Sequence, residues 1–160
     1  VIVYGTIAEE EANKTAAKRF NKEYLGLDPN IVMSDADVDN ADLKGKCLIL
    51  FGRPDTNKIA GRFENLFPIK FYGNKFTWLD KTYDKASLTV AQIVEGPSDY
   101  AALIVQCAGL STEAIQNFHG DYLSFKTSYV IFDHDKTLLK GDWRLEDELF
   151  WEFAEEKNEG

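Results

Sequence analysis

Apolar positions in this chain fall into short continuous runs, and several of those runs end in a glycine followed by a polar stretch. Cys47-Leu48-Ile49-Leu50-Phe51 leads into Gly52-Arg53-Pro54-Asp55-Thr56-Asn57. Val1-Ile2-Val3-Tyr4 leads into Gly5-Thr6, and Leu103-Ile104-Val105-Gln106-Cys107-Ala108 into Gly109-Leu110-Ser111-Thr112. Uninterrupted apolar strands followed by a glycine turn and a helix are the pattern of a parallel sheet covered on both faces. Between the first two units, Ala8, Ala12, Ala16, Phe20 and Tyr24 recur every four residues and predict one helix with a single apolar stripe. Gly26 and Pro29 end it, and Ile31–Met33 reads as a second strand. Asp39-Asn40-Ala41-Asp42-Leu43 is a polar link to the strand at Cys47. Ile59, Phe63 and Leu66 mark the apolar face of a helix that stops before Pro68.

The period then changes. Ile69 to Trp78 alternates around Gly73-Asn74, a hairpin signature, and a further turn near Asp80-Lys81 leads to Thr82-Tyr83. This predicts a small antiparallel insertion or an extended edge of the sheet. Strands follow at Leu88–Val94 and Ala101–Cys107, joined through Glu95-Gly96-Pro97-Ser98-Asp99. A helix capped by Ser111 runs to about Phe118, and Tyr129-Val130-Ile131-Phe132 is the last core strand. Thr137-Leu138-Leu139 either pairs back or extends outward. Leu145, Leu149 and Phe153 predict a terminal amphipathic helix, which Phe150 and Trp151 widen into a packing or docking face. The expected architecture is α/β, three-layered, with a mostly parallel flavodoxin-like or Rossmann-like sheet and an antiparallel hairpin insertion, in a single domain over residues 1–160.

Composition narrows the function classes. The net charge of −9 disfavours nucleic-acid backbones and anionic membranes as partners, and no apolar run reaches the ~20 residues of a membrane span. The chain opens on a strand and its only methionine is Met33, which predicts a domain excised from a longer protein. Cys47 and Cys107 both lie in apolar strands and read as small buried hydrophobes; their disulfide state is open. His119 and His134 lack metal-ligand spacing, so no metal is expected.

Two sets of residues could carry chemistry. Val130-Ile131-Phe132-Asp133-His134-Asp135-Lys136-Thr137 resembles the first motif of haloacid-dehalogenase-type phosphatases. On that resemblance Asp133 attacks phosphorus, Asp135 serves as acid–base, and both hold magnesium. Only 27 residues follow Asp133, however, with Lys140, Asp147 and Glu148 as the remaining candidates, and Lys136 stands where that family has a variable glycine. A strand, a polar turn and a second short strand account for the same residues. The second set is the glycine turns. Parallel sheets bind ligands beyond the carboxyl ends of their strands, which places Arg53, Asp55, Asn57, Ser111 and Thr112 at a possible crevice. Arg53 is the residue there suited to a small carboxylate. Thr6, Asp55 and Ser111 equally suit caps and turns. Glu9, Glu10 and Glu11 would repel a phosphate, and GxGxxG, GxxxxGK[ST] and GxSxG motifs are all absent, so no nucleotide or flavin cofactor is expected.

The chain also resembles a family of flavodoxin-like domains attached to secreted bacterial α/β-hydrolases, esterases and prolyl-oligopeptidase-like enzymes. The resemblance rests on Tyr4-Gly5-Thr6, Asp39 to Leu43, Leu50-Phe51-Gly52 with Pro54 and Asn57, and Gly96-Pro97-Ser98-Asp99-Tyr100. It continues through Ala108-Gly109, Tyr129-Val130-Ile131-Phe132-Asp133 and Gly141-Asp142-Trp143, and departs at Glu95-Gly96, where that family is expected to carry Asn-Pro. It implies a non-catalytic accessory or interaction domain whose partner is the catalytic domain of the same polypeptide, and a secreted or periplasmic location. No catalytic residue is implied for this piece.

Overall fold

In the computed structural model, residues 1–38, 43–97, 100–120 and 127–143 are described. The first strand, β1 (Ile2–Tyr4), enters helix α1 (Glu10–Phe20), which continues as a π-helical turn (Asn21–Leu25). Gly26 closes that turn with φ 62° and donates its N–H to the Asn21 carbonyl, the left-handed stop its sequence position predicts. A 3₁₀ turn (Pro29–Ile31) leads to β2 (Val32–Ser34), and β3 (Lys46–Phe51) to the short helix α2 (Lys58–Arg62). Three short strands follow, β4 (Lys70–Tyr72), β5 (Lys75–Trp78) and β6 (Lys81–Tyr83). The long strands β7 (Leu88–Glu95) and β8 (Ala101–Gly109), helix α3 (Thr112–Gln116), β9 (Tyr129–Asp133) and β10 (Lys136–Gly141) complete the described chain.

Among the described residues seven strands form one mixed sheet in the order β10-β9-β7-β8-β3-β1-β2. The half β2-β1-β3-β8 is parallel, as its strand–glycine–helix units predict. The expectation of a mostly parallel sheet fails beyond β8, because β7 pairs antiparallel with both β8 and β9, and β10 folds back on β9. Strands β7 and β8 are joined by a turn-rich loop with no helix in its sequence, so the connection is a hairpin rather than a crossover. The predicted hairpin around Gly73-Asn74 is present, and β4-β5-β6 form a separate antiparallel sheet rather than an extension of the main edge. Its second turn uses Leu79 and Asp80, both with positive φ (53° and 63°), the sign of backbone twist that two-residue hairpins favour.

The three-layer expectation holds in a coarser form. One face of the main sheet presents Ile2, Ile49, Phe51, Val105, Cys107, Val130 and Phe132 to α1 and α3 through Ala12, Ala16, Ala17, Phe20 and Ile115. Phe51, Phe118 and Phe20 form an aromatic cluster there, with Phe51 and Phe118 edge-to-face at 5.4 Å between ring centroids. The other face is covered in two parts. Ile59, Ala60, Phe63 and Phe67 cover Val3, Leu48, Leu50 and Ile104, and the small sheet places Phe71, Phe76 and Trp78 over Val90, Ala108, Tyr129 and Ile131. Between them lie two buried amides: Gln92 donates to Gln106 Oε1 (2.8 Å) and to the Ile69 carbonyl, and accepts from the Ile69 N–H, while Gln106 donates to the Gly52 carbonyl. Each is less than 2% exposed. Together they satisfy the backbone where it leaves the main sheet for the small one.

Several side chains depart from their predicted environment. Ala8 precedes α1 and is exposed, and Tyr24 is exposed because the π-helical turn shifts the four-residue stripe out of phase; its ring still stacks on Phe20. Leu66 is exposed and Phe67 buried, because a 3₁₀ turn (Glu64–Leu66) replaces the last turn of the predicted helix and changes its phase. Cys107 is buried and free, but Cys47 is exposed, since β3 begins beyond the cover of the helices. The helix after Ser111 stops at Gln116, with Phe118 buried beyond it. Residues 39–42 of the polar link, Ser98 and Asp99, and the whole predicted terminal helix with Asp147 and Glu148 lie outside the described residues.

Candidate functional site

Strands β1, β3 and β8 are parallel, so the turns that follow them gather at one edge of the sheet. The Gly5 N–H donates to the Phe51 carbonyl and the Gly52 N–H to the Cys107 carbonyl, each 2.9–3.0 Å, which locks the three strand ends in step. Glycine is required at the first two. A side chain on Gly5 would run into the Thr56 carbonyl, and Gly52 has φ 132° with the Thr56 hydroxyl 2.6 Å from where a Cβ would stand.

Arg53 is the centre of this edge. It is 5% exposed. Its Nη1 donates to the Gly109 carbonyl (2.9 Å), its Nη2 to Glu9 Oε2 (2.8 Å) and Asp55 Oδ2 (3.3 Å), and its Nε to Asp55 Oδ1 (2.9 Å). One guanidinium thus ties together the turns after β1, β3 and β8. Burial opposes its charge, but the Asp55 and Glu9 carboxylates outweigh that and raise its pKa above the ordinary arginine value. Glu9, expected to repel a phosphate, is a partner in this brace and takes a left-handed backbone (φ 57°) at the start of α1.

The other predicted residues of the crevice are also held internally. The Asn57 side chain is fully buried; it caps α2 by accepting from the Ile59 and Ala60 N–H groups and donates to the Val3 and Phe51 carbonyls. Ser111 accepts from the Ala114 N–H as the cap of α3 and donates to the Ala86 carbonyl at 2.7 Å. Thr112 opens α3 and is exposed. Asp35, which sequence reasoning missed, is 2% exposed and accepts from the Thr6 hydroxyl (2.6 Å), the Thr6 N–H and the Lys58 N–H (2.7 Å). Its signal was a carboxylate directly after an apolar strand. The structure therefore pairs the side chains of Arg53 and Asp55 and engages those of Asn57 and Ser111 with other partners. A cavity of about 240 Å³ beside this turn is bordered by Asp55 and Glu64, a rim that repels carboxylates.

Strand β9 runs in the same sense as β8, because both are antiparallel to β7, so Asp133 reaches the same edge on the far side of the sheet. The Asp133-His134-Asp135-Lys136 segment is the tight β9–β10 hairpin, with His134 at φ 53°. Its two carboxylates diverge. Asp133 Oδ2 is 2.6 Å from Lys85 Nζ, whereas Asp135 is 87% exposed and lies 3.2 Å from His119 Nε2. The hydrogen bond from Lys85 lowers the Asp133 pKa below the usual carboxylate value, against the opposing effect of burial. Lys140 pairs with Val130, three residues before Asp133, and so sits about 10 Å along the strand from it. Lys85 carried no sequence signal as the partner of Asp133. Among the described residues no group of three or more His, Cys, Asp or Glu side chains is arranged to hold a metal, and no helix is long and apolar enough to cross a membrane. No protein-family model matches the chain, and searches of curated proteins and of solved structures found no match.

Proposed function

We propose that this is a non-catalytic accessory or interaction domain, flavodoxin-like in its parallel half, that serves the catalytic domain of a larger hydrolase. One observation carries the non-catalytic reading. At the edge where an α/β sheet ordinarily exposes reactive or ligand-binding groups, Arg53, Asp35, Asn57 and Ser111 are all engaged by this chain's own backbone and carboxylates. A ligand carboxylate at Arg53 would have to displace Asp55, which is tethered two residues away. The hydrolase and the secreted or periplasmic location rest on the resemblance of the glycine turns and of Tyr129 to Asp133 to domains of that kind. The edge then works as a rigid support for a neighbour rather than as a reaction centre.

The test is the size of the native product, read by blotting cell and culture fractions of the source organism with an antibody to this domain. A band well above 18 kDa supports the reading. A band at that size, together with Mg²⁺-dependent aryl phosphate hydrolysis by the isolated chain that Asp133→Asn abolishes, would replace it with the phosphatase reading.

A further inference from the structure

Among the described residues, two lysines that make no ion pair, Lys18 and Lys22, lie at the opposite end of the sheet from Arg53. The last turn of α1, the π-helical turn after it, the Gly26–Pro29 loop and edge strand β2 enclose a cavity of about 400 Å³, a volume typical of small-molecule sites. Its wall is built rather than incidental. Asn21 is 4% exposed and clamps the loop with both ends of its amide, donating to the Leu27 carbonyl (3.0 Å) and accepting from the Leu27 N–H (3.3 Å). The π-helical turn, a device found often at functional sites, sets the loop away from the helix axis and leaves Leu27 54% exposed beside Pro29 and Val32.

The charged groups lining this apolar cavity are Lys18 and Lys22. One lies on the last turn of α1 and the other on the π-helical turn after it, and both border the same cavity. The chain has 27 acidic residues against 18 basic ones, yet among the described residues neither lysine makes an ion pair. Glu23 is adjacent in sequence to Lys22 and cannot face it, and Asp28 accepts from the Asn30 N–H of its own turn. The helix C-terminus adds about half a negative charge, which two ammonium groups exceed. Arg19, the other cation of that last turn, is committed elsewhere: it donates to the Gln116 and Phe118 carbonyls beyond α3.

We infer that this cavity is a binding site for a small carboxylate with an apolar body, the body against Leu27, Pro29 and Val32 and the carboxylate between Lys18 and Lys22. The site is independent of the accessory-domain reading and relocates carboxylate recognition from Arg53 to the far end of α1. The probe is octanoate, titrated into the full chain with 1-octanol as the uncharged control and amide chemical shifts as the readout. Octanoate should bind saturably and move the Gly26, Leu27 and Val32 amides, with octanol about tenfold weaker. Lys18→Gln/Lys22→Gln, at exposed positions that leave the melting temperature unchanged, should weaken octanoate about tenfold and leave octanol unaffected. Shifts that do not saturate, that map to other residues, or that are equal for acid and alcohol would overturn the proposal, as would undiminished octanoate binding by the double variant.

Discussion

The carboxyl edge of the sheet carries two acid–base contacts of similar length that differ in almost everything else. In the parallel half, Arg53 is almost fully buried and holds three turns through two carboxylates and a backbone carbonyl. In the antiparallel half, Asp133 is met by Lys85, whose side chain is 68% exposed. Distance alone ranks the Lys85 contact first, at 2.6 Å against 2.8 Å. Burial reverses the order, since an exposed lysine remains solvated after its partner is lost, whereas removing Arg53 strands the buried Gly109 carbonyl and leaves the partly buried Glu9 carboxylate without its partner.

Substitutions can break this contrast or sharpen it. Arg53→Met should cost about 3 kcal/mol, read as a lower urea midpoint. A loss below about 1 kcal/mol would show that the two contacts are equivalent. Asn57→Ala removes the α2 cap together with donors to two strand carbonyls and should cost about 2 kcal/mol. Gln92→Leu should cost a similar amount by stranding both polar groups of the Ile69 backbone, and adding Gln106→Leu should cost less than the sum of the single changes, because the two amides share a bond. Lys85→Met should cost less than about 1 kcal/mol.

The smallest effect is a pH dependence. The folded Asp133 carboxyl has a lowered pKa, so its contribution is present above the unfolded value of about 3.9 and is lost as pH falls through the folded value below it. Stability measured from pH 5 downward should fall less steeply in Lys85→Met than in the unchanged chain. Parallel curves would mean that Lys85 does not set that pKa.

The parallel half was legible because its signals are local. The ends of β1, β3 and β8 announce themselves by a glycine that the packing requires, as at Gly5 and Gly52, and Gly26 ends the π-helical turn that continues α1. The hairpin at Gly73-Asn74 was legible for the same reason. What failed depended on phase or on partners distant in sequence. A π-helical turn and a 3₁₀ turn moved Tyr24 and Leu66 out of the core without any change in the apolar pattern. Strand β7 has an apolar run that suits either sense, and its direction follows from its connection to β8. The candidate site was half legible. Arg53 and Asp55 were expected together and are together, but nothing in the sequence near Arg53 shows that Glu9 and Gly109, 44 and 56 residues away, complete its coordination. Lys18 and Lys22 carried no sequence signal as a pair, because the cavity they border is closed by the loop after the π-helical turn and by β2.

The unequal cysteines have a practical consequence. Cys47 stands exposed near the start of β3, while Cys107 is sealed under the helices, where burial raises its thiol pKa well above the ordinary value. A thiol-reactive dye should therefore label the native protein at a single address, and a second equivalent should react only in denaturant. The chain carries its own attachment point for a spin label or fluorophore, on the amino-terminal edge of the sheet and remote from the Arg53 brace.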